Sequence, residues 1–179
     1  MNKSFQSSFL EGGIRMTDAN LWKDVRSLYC REVSVKLVKK RNVTYSVNSP
    51  MNAVDVARKV ISQDDRENFI VLCLDTKNKI NSVNIVHIGT VNATLVSQRE
   101  IFKVALLANA TSIICIHNHP SGDPTPSEED RAVLQRIKEA GKILGICLAD
   151  FIILGDESFY SCTKEGEIDY VEDDNARTN

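Results

Sequence analysis

Two of the three histidines in this chain stand two residues apart, in Ile116-His117-Asn118-His119-Pro120. They follow an apolar run, Ser112–Ile116, that reads as a buried strand. Side chains alternate across a strand, so both imidazoles leave its C-terminal end on the same face. Neutral imidazole is a common metal ligand, and two on one face supply half of a tetrahedral zinc site. Three of the four prolines, Pro120, Pro124 and Pro126, fall in the seven residues 120–126. That segment can reverse the chain and bring the next helix back over the strand end. Asp130 lies in the first turn or so of that helix, where the helix dipole favours a carboxylate. It is a candidate third ligand, leaving a fourth position for water as catalytic zinc sites do. An isolated H-x-H is more often structural than metallic, and a carboxylate at a helix start is commonly a cap. The concentrated proline punctuation is what an ordinary loop leaves unexplained.

The elements that must position these residues are legible from periodicity. Residues 1–18 show no sustained period and read as a flexible leader, and Leu21, Trp22, Val25 and Leu28 suit a short helix over 19–30. Val33–Lys39 alternates as a half-exposed strand, with Val43–Val47 as its neighbour and the basic cluster Lys39-Lys40-Arg41 between them. Ser49-Pro50 opens a helix as N-cap and first helical residue. Its face is Val54, Ala57, Arg58 and Ile61, with Arg58 a polar intruder. Phe69–Leu74 has the length and composition of a strand covered on both faces. Asp75–Asn78 is a turn, and Ile80–Ile88 returns. Ser97-Gln98-Arg99-Glu100 reads as a capping box before a helix over Ile101–Leu107, and Thr125-Pro126-Ser127-Glu128 as another, with Pro126 at the first helical position of a helix to about Leu144. Ile146–Leu154 and Tyr160–Cys162 are further strands. Strands alternating with helices, flanked by hairpins, predict an α/β fold with a mixed sheet. The expected division is a leader over 1–32, one domain over 33–166, and a polar tail over 167–179.

Composition bounds the class. The 179 residues amount to about one domain at ~100–200 residues each. No apolar stretch approaches the ~20 residues of a membrane helix, and no secretory signal is evident. The formal net charge is −2 and the pI about 5.9, so bulk charge does not argue for nucleic acid. Five scattered cysteines, none in a C-x-x-C pair, suit reduced thiols in the cytoplasm. Cys115 shares the strand face of His117, so a thiolate ligand is geometrically conceivable; burial as a small apolar residue is the expectation. His87 reads as structural.

The run His117-Asn118-His119-Pro120-Ser121-Gly122-Asp123-Pro124-Thr125-Pro126-Ser127-Glu128-Glu129-Asp130 resembles the JAMM motif, H-x-H-P followed by P-S-x-x-D. In this form it is similar to the RadC family of JAB/MPN metalloproteins. The likeness extends from Arg66-Glu67-Asn68-Phe69 through Arg99-Glu100-Ile101-Phe102 to Glu165-Gly166, roughly residues 45–166. It implies a mixed sheet flanked by helices, of JAB/MPN (cytidine-deaminase-like) architecture, with one zinc per chain held by His117, His119 and Asp130. It also implies that Ser127 helps hold the oxyanion at a scissile carbonyl, and that an upstream glutamate is the general base. Glu67, just before Phe69–Leu74, matches that placement; Glu100 is the competitor. The alternatives are a solvated strand-start carboxylate at Glu67 and a solvated helix-start serine at Ser127. The helix-hairpin-helix segment common in such proteins has no counterpart in residues 1–45, so strong direct DNA binding is not expected. The implied function is a zinc-dependent hydrolase of peptide or isopeptide bonds with an unidentified peptide or protein substrate. A DNA-repair or mobile-element accessory with a structural metal, and a pure interaction module, are the other classes.

Overall fold

A computed structural model describes residues 45–61, 65–89 and 96–168. The expected leader, the helix over 19–30, the strand Val33–Lys39, the basic cluster and the end of the tail lie outside the described residues. The described chain runs α1 (Pro50–Val60), β1 (Glu67–Leu74), β2 (Ile80–Gly89), α2 (Gln98–Leu107), β3 (Ser112–Asn118), α3 (Glu128–Leu144), β4 (Cys147–Leu154) and β5 (Phe159–Ser161). The five strands form one sheet in the order β2-β1-β3-β4-β5. Only the β3–β4 pair is parallel, joined through α3; β1–β2, β1–β3 and β4–β5 are antiparallel. The fold is therefore the expected α/β architecture, a mixed sheet flanked by helices. No helix among the described residues is long and apolar enough to cross a membrane.

Both faces of the central strands are covered, which is why β1 and β3 read as unbroken apolar runs. On one face, Val71, Cys115 and Ile153 pack with Ile101 and Phe102 of α2 and Val133 and Ile137 of α3. On the other, Ile70, Leu72, Ile114 and Ile116 pack with Ala53, Val54 and Ala57 of α1. The small residues on α1 let it lie close to the sheet. Arg58, the polar intruder, is not wasted: its guanidinium donates to the carbonyls of Gly155, Asp156 and Ser158. It thereby ties α1 to the turn that follows β4.

Four local expectations need correction. Strand β3 continues through His117 and Asn118, because pairing with β1 reaches His117 and pairing with β4 reaches Asn118. The N-cap of α3 is Ser127 and its box partner is Asp130; Pro126 lies outside the helix. The cause is local: Asp123 Oδ1 accepts from both the N–H and the hydroxyl of Thr125, so Thr125 closes its own turn and does not cap the helix. Ser97 caps α2, which begins at Gln98, but it accepts from Arg99 N, and Glu100 pairs with Lys103 and does not reach back. Within 45–47 there is an isolated bridge from Ser46 to Lys79 and no strand.

The turn after β4 presses on the loop after β3. Asp156 N donates to Gly122 O at 3.2 Å. A Cβ on Gly155 would stand 2.3 Å from that same carbonyl oxygen and 2.9 Å from Pro124 Cδ. Gly155→Ala therefore forces backbone apart and is expected to cost about 1–3 kcal/mol of stability. Ile143→Ala, at a side chain that is 84% exposed, is expected to stay within about 0.5 kcal/mol. Urea denaturation of the two variants checks the contrast.

Candidate metal centre

The site sits where β3 ends and α3 begins. His117 is 5% exposed, walled by Phe69 stacked on its ring at a centroid distance of 6.0 Å and Phe151 edge-on at 5.4 Å. Two residues on, His119 returns to the same side, and the two Nε2 atoms lie 3.0 Å apart. Asp130 completes the cluster: Oδ1 is 3.1 Å from His117 Nε2, and Oδ2 is 3.4 Å from His119 Nε2. One ligand atom from each residue lies within 4.8 Å of the others.

The capping box holds the carboxylate in place. Ser127 Oγ accepts from Asp130 N at 3.1 Å, while Asp130 Oδ2 accepts from Ser127 N at 2.8 Å and from Ser127 Oγ at 2.6 Å. Reciprocal capping ordinarily satisfies the free N–H groups of a helix start. Here it also clamps one carboxylate oxygen and leaves the other toward His117. Burial works against the charge on Asp130, but hydrogen bonds from His117, His119 and Ser127 outweigh it and hold the carboxyl well below the usual carboxylate range. His119 is oriented from behind, its Nδ1 lying 2.7 Å from Asp123 O. A carbonyl only accepts, so that contact places a ring proton on Nδ1. His117 Nδ1 is buried with no hydrogen-bond partner.

These residues fit a metal ion. Two imidazole nitrogens facing each other at 3.0 Å can share at most one proton, and a carboxylate faces both. A cation at the point of convergence would satisfy all three donors at once, and two imidazoles with one carboxylate suit a borderline divalent metal. Cys115 is not part of the cluster: it is fully buried beneath His117, and burial raises its thiol far above the ordinary value, keeping it un-ionised.

A cavity of about 540 Å³ opens on the cluster, walled by Glu67, Phe69, Val96, Ser127, Val133 and Phe151 beside the three donors. Glu67, the first residue of β1, is half-buried there; burial pushes its carboxyl up, against the pull of His117 and His119. Glu100 is not on the cavity wall. It stands on the first turn of α2, paired with Lys103.

Two further residues escaped sequence reasoning. His87, expected to be structural, lines the cavity, because β2 pairs it with Phe69, which pairs in turn with His117. Its ring tip leans over Gly89, where an added Cβ would stand 3.0 Å from Nε2. Strand register, which local sequence does not encode, is the only signal that would have found it. Asn118 points away from the cluster and bonds to the backbone beside Glu67. Alternation about His117 would have assigned its face, though not its partners.

A family model described as RadC-like JAB domain matches residues 47–167. A UPF0758 protein of Methanosarcina barkeri is 46% identical over 120 residues, which cover 67% of this chain and 52% of that protein. One from Halalkalibacterium halodurans is 46% identical over 119 residues, 65% of this chain and 51% of its own length. One from Bacillus pumilus is 43% identical over 122 residues, covering 68% and 54%. The chain thus spans about half the length of the curated relatives it matches.

Two predictions follow from the geometry. The purified protein is expected to bind about one divalent metal per chain, as the three converging donors require. His119→Ala should abolish that binding and Cys115→Ala should leave it intact, measured by metal analysis after dialysis. Ser127→Ala should lower stability by about 0.5–2 kcal/mol through loss of the cap. The same change should weaken metal binding by about 10–100-fold, because it releases the clamp on Asp130. Chelator competition reads the second effect separately from the first.

Proposed function

The chain belongs to the RadC-like JAB domain family, and on that premise we propose that it is a zinc-dependent hydrolase of the JAMM type, cleaving a peptide or isopeptide bond. The observation that carries this reading is the sharing of one cavity by the Glu67 carboxylate and the three converging donors His117, His119 and Asp130. A metal site with only a structural task has no need of a half-buried carboxylate across an open cavity.

His117, His119 and Asp130 would hold the ion. Zinc, when bound, supplies Lewis-acid chemistry, acidifying water and polarising a carbonyl oxygen. The rest is done by the chain. Glu67 takes a proton from water on its carboxylate and passes it to the departing amine nitrogen; its raised pKa brings it nearer to the pH at which such transfers are effective. Ser127 turns its hydroxyl hydrogen from Asp130 Oδ2 to the carbonyl oxygen, while its lone pair still accepts the Asp130 N–H. Phe69, Val96, Val133 and Phe151 give the cavity an apolar wall that limits water around the reacting bond. The substrate on this reading is a peptide or protein, and strong direct DNA binding is not expected.

The test is Glu67→Gln, which keeps the size of the side chain and removes the proton acceptor. It should retain zinc and fold while turnover on a panel of peptide and isopeptide conjugates falls by about 10²–10⁴-fold. Undiminished hydrolysis by the zinc-loaded variant would reject Glu67 as the base.

A further inference from the structure

Asn118 stands between the two histidines but projects from the opposite face of β3, and it is only 6% exposed. Its carboxamide does not face the metal donors. Oδ1 accepts from Asn68 N at 2.8 Å and from Asn68 Nδ2 at 3.2 Å, and Nδ2 donates to Arg66 O at 2.9 Å. The two backbone partners, Arg66 C=O and Asn68 N–H, flank a single residue, Glu67.

This grip falls where the sheet itself lets go. The β1–β3 register ends at Phe69↔His117, so no strand pairing from the β3 side reaches Glu67. On its other side Glu67 pairs with Gly89 at the far end of β2. The Asn118 carboxamide presents one donor and one acceptor to the chain, as the backbone of one more strand residue would. It is anchored in the same three-residue segment that carries His117 and His119.

We infer that Asn118 positions Glu67: by holding the peptide groups on both sides of it, the carboxamide sets where the Glu67 carboxylate stands relative to His117, His119 and Asp130. The inference rests on the hydrolase reading above. It makes the middle residue of the H-N-H segment a rigid link between the proton acceptor and the metal ligands. A residue that merely closed the end of the sheet would alter stability without moving the carboxylate.

The experiment uses the full chain carrying glutamate labelled with ¹³C at its side-chain carboxyl, with the Glu67 signal assigned by its loss in Glu67→Gln. Zinc is then titrated in. In the wild type the Glu67 signal is expected to move as zinc binds. In Asn118→Ala zinc should bind with unchanged affinity, because no ligand is altered, while the movement of the Glu67 signal shrinks or disappears. Turnover on a cleavable conjugate should fall by about 10²-fold with KM little changed, as misplacement of a reacting group by about 1 Å does. Added to Glu67→Gln, the same substitution should cost no further turnover, because the two act through one group. If Asn118→Ala fails to fold, Asn118→Asp keeps the acceptor for Asn68 N and removes the donor to Arg66, and it serves the same comparison. A zinc-binding Asn118 variant whose Glu67 signal moves as fully as in the wild type would overturn the inference. A wild-type Glu67 signal that zinc leaves in place would instead reject Glu67 as the base, and this inference with it.

Discussion

The carboxylate of Asp130 is the constraint on which the site depends. One side chain serves as the reciprocal cap of α3 and as the acceptor facing both imidazoles. Ser127 fixes it through the backbone N–H and the hydroxyl, so the start of the helix and the end of β3 are held to one distance. Burying such a charge is costly unless it is hydrogen-bonded and paired. Here the capping bonds and the imidazoles supply the partners. The helix cap and the metal donor set are thus one structure, and a change that loosens one loosens the other.

The sheet order explains why the groups meet at this end. β3 is central, so the residues leaving its C-terminal end emerge between β1 and β4. Because β1 runs antiparallel to β3, the beginning of β1 lies beside the end of β3. That places Glu67 next to His117, although fifty residues separate them in the chain. The same antiparallel run continues to β2, whose far end brings His87 to the cavity. The parallel connection through α3 then returns the chain to β4, whose following turn braces the loop carrying Asp123.

That bracing has a visible logic. Gly122 and Gly155 lack side chains where two backbones come within hydrogen-bonding range, and Gly122 has φ +81°, a conformation that favours glycine. Arg58 satisfies three carbonyls of the turn that presses on this loop. The loop in turn offers Asp123 O to His119. From α1 to the second histidine there is a continuous series of polar contacts, most of them to backbone groups.

Much of this was legible in the sequence, for physical reasons. Doubly covered strands need unbroken apolar runs, so β1, β3 and β4 announced themselves; Pro50 marked one helix start through its fixed φ at the first helical position, and Ser97 another through its side-chain cap. The alternation of strand side chains put His117 and His119 on one side, and the short loop brought Asp130 within reach. Local signals failed where two neighbouring residues competed for one task. Thr125 and Ser127 could each cap α3, and only the Asp123 turn decided between them. Strand register was beyond the sequence altogether, since pairing joins residues far apart in the chain and periodicity says nothing about which pairs meet. Residue types and spacing therefore determined the donor set and the order of the elements. Tertiary structure decided that Glu67 and not Glu100 lines the cavity, that His87 joins it, and that Asn118 grips the chain beside Glu67, because these depend on which strand ends the sheet brings together.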